Sequence, residues 1–215
     1  MGKKIIYGIA IIVIIVGAIL TFAIGLNLSL EYNENTKIYV YIGKQFENKE
    51  IKQIASEVFE TNKVIVKKVE VYEDMACIIL EKQNEENINE KIENLNNKMN
   101  EKYGLENKNE DIITINEPKI NTYTILKPYI YPVIISTIII LIYAFIMFKK
   151  IGFLKTTINY VLAIFVSIAF YISVIAITRL PVSKYTAPIG IIIYIIAITT
   201  VTIKKQKQLE NYKLK

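Results

Sequence analysis

The sequence predicts an α-helical multi-pass membrane protein of four transmembrane helices carrying one external α+β domain. Three observations predict it: four long uncharged apolar runs, a charged segment confined between the first two, and lysines gathered on one side of the threaded chain. The 215 residues are 53% hydrophobic yet carry 26 Lys and Arg against 20 Asp and Glu, so the apolar residues are unevenly placed.

The runs are Ile5 to Ile24, Tyr129 to Phe148, Thr156 to Thr178 and Tyr185 to Ile203, each free of Asp, Glu, Lys and Arg. About 20 residues at 1.5 Å rise cross roughly 30 Å of hydrocarbon, and a helix satisfies its own backbone there. Pro132 and Pro188 are expected near helix starts, where a missing N–H costs little. Lys3 and Lys4 ahead of the first run, with Ala23 and Gly25 behind it, resemble a secretory signal. Its apolar core is longer than the usual 7 to 15 or so residues, so an uncleaved anchor is expected.

Threading four helices puts Lys3, Lys4, Lys149, Lys150, Lys155, Lys204, Lys205, Lys207, Lys213 and Lys215 on one side, with only Arg179 and Lys184 in the short loop opposite. Positive charge stays in the cytoplasm, so both termini are expected inside and the segment Leu26 to Lys127 outside, in a cell membrane. That segment holds 14 basic and 19 acidic residues, so the chain's net +6 is a topology signal that meets anionic lipid and not a nucleic-acid footprint. The expected organisation is a first helix in 1–25, an external domain in 26–128, a three-helix bundle in 129–203 and a basic cytoplasmic tail in 204–215.

Within the external segment, Thr36 to Ile42 alternates, with Ile38, Val40 and Ile42 on one face and Tyr39 and Tyr41 on the other, which predicts a strand. Ile51, Ile54, Ala55, Val58 and Phe59 recur at helical spacing. Val64 to Val71 and Met75 to Glu81 read as a hairpin turning at Tyr72 to Asp74. Ile88, Ile92, Leu95, Met99 and Tyr103 mark a second helix that Gly104 ends, and Asp111 to Asn116 supplies a last strand through Ile112, Ile113 and Ile115. The order βαββαβ predicts a four-stranded antiparallel sheet with both helices on one face, the ferredoxin-like arrangement.

With no His and one Cys, an imidazole base, a Ser-His-Asp or Cys-His pair, a His-bearing zinc site and an internal disulfide are all excluded. An enzyme is not expected, and no catalytic, cofactor-binding or metal-binding residue is assigned. Cys77, among Ala76, Ile78 and Ile79, reads as a small core side chain and not as a reactive thiol. The acidic pairs Glu73-Asp74, Glu85-Glu86 and Glu110-Asp111 lack a calcium-loop spacing and read as solvated caps. The 15 Tyr are divided between strands and membrane boundaries.

One span, an external βαββαβ module and a cluster of spans resemble half of a SecD or SecF protein of the bacterial export machinery. Gly25-Leu26-Asn27-Leu28 stands where that family has a segment like GLDFTGG, without the paired glycines. Leu141-Ile142-Tyr143-Ala144-Phe145 before Phe148-Lys149-Lys150 is similar to the end of its second span, and Ala176-Ile177-Thr178-Arg179-Leu180-Pro181-Val182 to the turn after its third. The closest likeness is to a SecF shortened by its last two helices. The resemblance implies a protein-export subunit whose partners are the lipid bilayer, SecD-like or other translocase subunits and a translocating polypeptide, with no nucleic acid.

The family's His-Asp pair in the third span falls on Val166 and Ser167, and its fourth-span acidic position on Ile198. A titratable group inside a membrane costs about 2.5–3.5 kcal/mol and persists where it serves transport; none is left here. Asn159, Ser167, Ser173, Thr199 and Thr200 are expected to pack helices or bond back to the i−4 carbonyl. Binding and positioning without a proton relay is therefore the expected role. An FtsX-type permease-like regulator has the same span order, but the internal loop Lys149 to Lys155 is short for holding an ATPase; an envelope sensor or scaffold is the third reading.

Overall fold

The computed structural model describes residues 2–69, 71–83 and 85–214, without the side chains of 2–4, 73 and 85–87. The side chains of Lys3 and Lys4, the carboxylates of Glu73, Glu85 and Glu86, and the whole of Lys215 therefore lie outside what is described. The chain divides into two compact units, residues 1–27 with 122–215, and residues 28–121.

The first unit consists of helices α1 (Gly2–Ala23), α4 (Thr122–Met147), α5 (Phe153–Thr178) and α6 (Thr186–Lys213), the other helices and strands lying between α1 and α4 in sequence. All four are long and apolar enough to cross a membrane, which makes this a membrane protein. Each presents a narrow inward stripe and leaves half or more of its isoleucines exposed at positions that suit lipid contact. On α1 the stripe is Ala10, Val13, Ile14, Gly17, Ala18 and Thr21, and it packs on α5.

Two boundaries differ from those drawn on charge. Helix α4 begins at Thr122, so Lys127 lies inside it, and Pro132 is interior together with Pro128, not near the start. Pro132 has no N–H to give to the Pro128 carbonyl one turn back. Helix α6 continues through the basic tail to Lys213, because a lysine-rich segment with good helix formers has no reason to stop.

The second unit is built on a sheet of β1 (Asn35–Tyr41), β2 (Val64–Val69), β3 (Tyr72–Glu81) and β4 (Ile113–Glu117), with α2 (Asn48–Val58) and α3 (Glu85–Tyr103). Strand order is β2-β3-β1-β4 and every pair is antiparallel. Ile38 and Val40 of β1, Val64 and Val66 of β2, and Ala76, Ile78 and Leu80 of β3 form one core with Ile51, Ala55 and Val58 of α2 and Ile92, Leu95 and Met99 of α3. Helices and strands of opposite period thus bury their apolar faces on each other. Gly104 takes φ +67°, and the Gly104 and Leu105 amides return to the Asn100 carbonyl, closing α3.

The β2–β3 turn comes earlier than Tyr72 to Asp74, because Tyr72 already pairs with Val69 and the register shifts between Lys68 and Val69. The last strand starts at Ile113 after a 3₁₀ turn, Asn109–Asp111. Asp111 Oδ2 accepts the Lys108 amide at 2.8 Å, which gives one member of the Glu110-Asp111 pair a capping role.

Candidate functional site

Strand alternation gives the sheet a second face, away from the helix-packed core. Register places Tyr39 opposite Cys77 on one side and Ile113 on the other, and Lys37 between Ile79 and Ile115. Cys77 and Ile79 are buried there, while Ile113 at 55% and Ile115 at 44% are exposed, as is Tyr41. Cys77 is therefore buried as expected, but on the face opposite the main core, because its neighbours Ala76 and Ile78 already point to the helices. Burial pushes its thiol above the ordinary value, against a hydrogen bond with Tyr39 and the charges of Lys37 and Lys67. A thiol held protonated is a poor nucleophile.

Two ion pairs frame this face, Lys37 with Glu117 at 2.7 Å and Lys67 with Glu31 at 2.7 Å. Burial alone would lower Lys37, but the hydrogen bond and charge of Glu117 outweigh it and raise it. Strand β4 ends the sheet, pairing only with β1 among the described residues, so its outer edge presents unpaired backbone groups beside two exposed isoleucines. An extended peptide can add to such an edge.

Inside the helix unit, hydroxyls of the described residues make polar contacts between helices. Tyr194 Oη lies 3.1 Å from Ser136 Oγ and 2.9 Å from Thr137 Oγ1, joining α6 to α4. Tyr160 Oη meets Thr202 Oγ1 at 2.7 Å and Tyr171 Oη donates to the Thr186 carbonyl at 2.8 Å, joining α5 to α6. Ser173 Oγ donates to the Ile14 carbonyl at 3.3 Å, joining α5 to α1. Thr199 and Thr200 bond back to the Ile195 and Ile196 carbonyls, the i−4 pattern expected of them.

At the positions aligned with the family's ionisable groups, Val166 is exposed, and Ser167 and Ile198 are half-buried. Asn159 is also half-buried. A cavity of about 360 Å³ opens between α4 and the α5–α6 pair, lined by side chains such as Ile130, Val133, Ile168, Tyr171 and Ile191.

Two segments far apart in sequence meet where α1 ends and α5 turns into α6. Arg179, at φ +53°, donates from Nη1 to the Gly25 carbonyl at 2.7 Å. Asn27 Nδ2 donates to the Arg179 carbonyl at 2.9 Å, and the Val182 amide to the Asn27 carbonyl at 2.7 Å. Gly25 at φ +77° supplies the left-handed turn that frees its carbonyl for this clamp. Each segment stands out in the sequence, but nothing along the chain pairs them. No protein-family model and no curated protein matches this chain.

Proposed function

We propose that the protein is a SecF-like accessory membrane subunit of protein export, which binds and positions a translocating polypeptide or a partner subunit without a proton relay of its own. The observation that carries this reading is a separately cored α+β unit joined to four apolar helices whose mutual polar contacts are hydroxyl bonds. Such a body has surfaces to bind with, and its four apolar runs hold no Asp, Glu, Lys or Arg to drive an ion cycle.

Three further features support it. The strand order β2-β3-β1-β4, all antiparallel, with two helices packed on one face, agrees with a ferredoxin-like module. The Gly25–Asn27 and Arg179–Val182 segments, on which part of the family resemblance rests, bond to each other. The lysines at the α4–α5 turn and the end of α6 favour a cytoplasmic location for those ends, and hence an extracytoplasmic one for residues 28–121. The β4 edge, with Ile113 and Ile115, is the surface assigned to the polypeptide.

The test is photo-cross-linking in intact cells from a probe at Ile113 or Tyr41. Capture of translocase subunits or secreted precursors is expected. A cytoplasmic ATPase captured from the Lys149 to Lys155 loop would replace this reading with an FtsX-type one, and recovery of neither would overturn the export role. Reporter tags that place residues 28–121 in the cytosol would overturn the orientation.

A further inference from the structure

Helix α6 continues past its apolar stretch, so Ile198, Val201, Lys205 and Leu209 fall on one stripe at three- and four-residue steps. That stripe packs at the basic end of the helix unit against Ala144, Phe148 and Tyr160, a cluster that Ile198, Val201 and Leu209 join. Lys205 is only 5% exposed there, the one buried charged side chain among the described residues. Its neighbours Lys204 and Lys207 are exposed.

A buried ammonium is costly unless an opposite charge and several hydrogen bonds compensate it. Lys205 Nζ donates to Gln208 Oε1 at 3.2 Å, which uses one of its three donors. None of the described ion pairs includes it, and the charge acting on it is the like charge of Lys155. Between Pro118 and Leu209 the chain has no acidic residue. Glu210 lies five residues on, outside the i+3 and i+4 reach, and is exposed.

The geometry points to an anion site: Lys205 and Lys155 hold a phosphate group at the basic end of the bundle, with Gln208 orienting the Lys205 ammonium. Phosphate suits the place because its several acceptor oxygens can serve two ammonium groups at once, and because phosphate headgroups lie where an apolar span gives way to lysines. The same chemistry comes from an anionic phospholipid or from free phosphate. This site is independent of the export reading.

The experiment uses the full chain in dodecyl maltoside, with thermal unfolding followed by far-UV circular dichroism. Phosphatidylglycerol in mixed micelles, phosphatidylcholine in mixed micelles, and inorganic phosphate are titrated separately. A saturable rise in melting temperature is expected with phosphatidylglycerol and not with phosphatidylcholine. Response to phosphatidylglycerol alone assigns the lipid headgroup, and an equal response to inorganic phosphate shows that the free ion suffices.

Lys205→Gln is expected to weaken the apparent affinity about tenfold or more, and Lys207→Gln to leave it within about twofold. Without anion, Lys205→Gln melts at or above the wild type, because it removes a buried unbalanced charge. Lys155→Gln, at an exposed position, carries the same test should Lys205→Gln fold poorly. No saturable shift from either phosphate source overturns the site. So does a Lys205→Gln protein that melts lower without anion yet responds as the wild type does, since that marks a structural lysine.

Discussion

Gly17 is the glycine at which an added side chain meets the most crowding among those described. A Cβ built on it would collide with the Cα and the side chain of Ser173, so Gly17→Ala forces α1 and α5 apart instead of turning one side chain. Overpacking against backbone costs about 1–3 kcal/mol. The Ser173 hydrogen bond to the Ile14 carbonyl is lost with the separation, at about 0.6 kcal/mol for an interhelical bond in a membrane. The expected destabilisation is therefore about 2–4 kcal/mol. Gly8 lies on the same helix with nothing within 4 Å of the added atom, so Gly8→Ala is the control and should gain slightly from alanine's helix propensity. The assay is unfolding of the full chain from dodecyl maltoside by added dodecyl sulfate, read by far-UV circular dichroism. Gly17→Ala should unfold at clearly lower dodecyl sulfate than Gly8→Ala, and Ser173→Gly in the same chain should restore part of the loss. Equal midpoints for the two alanine variants would refute the close α1–α5 crossing.

Two other measurements bear on the two units separately. Tyr103 Oη donates to Glu50 Oε2 at 2.9 Å, and burial first, then the Glu50 bond and charge, push its phenol up to about 12. Its folded value lies above the ordinary 10.0, so its contribution is complete below about pH 10 and is lost as pH rises through about 12, at about 2–3 kcal/mol in all. Tyr103→Phe should remove that alkaline loss of stability, measured as the difference between variant and wild type at neutral and alkaline pH; an unchanged profile would mean that the buried bond does not form. The chain reconstituted in liposomes should pass no more protons than empty liposomes under an imposed pH gradient, followed with a trapped pH-sensitive dye. Flux above that background would refute a membrane interior without a relay.

Much of the fold was legible because its signals are local. Ile38 and Val40 alternate with Tyr39, and Ile51, Ala55 and Val58 repeat at helical steps; each pattern names its own buried face before any partner is known. The four spans were legible for the same reason, since twenty uncharged residues meet the bilayer's demand on their own. Element ends were less so. Thr122 to Pro128 carries Lys127 and a proline and reads as a lead-in, yet it is helical, with Pro128 tolerated in the interior at the loss of its own amide bond to the Thr124 carbonyl. Lys205 had a readable signal that charge counting hides: it occupies an apolar-stripe position between Val201 and Leu209, and a lysine there reads as tail only when the helix is taken to end at Ile203.

Composition and periodicity thus decide the class of molecule, which is one apolar body with four runs free of Asp, Glu, Lys and Arg and one sheet-and-helix unit. Those properties are set by what each short segment must bury. The bond from Arg179 to Gly25, the meeting of Tyr194 with Ser136 and Thr137, and the Gly17–Ser173 approach depend on which stripes pack together and at what height. A hydroxyl or a glycine chooses no partner along the chain. Its partner, and with it the charge balance around Lys205, exists only once the helices are packed.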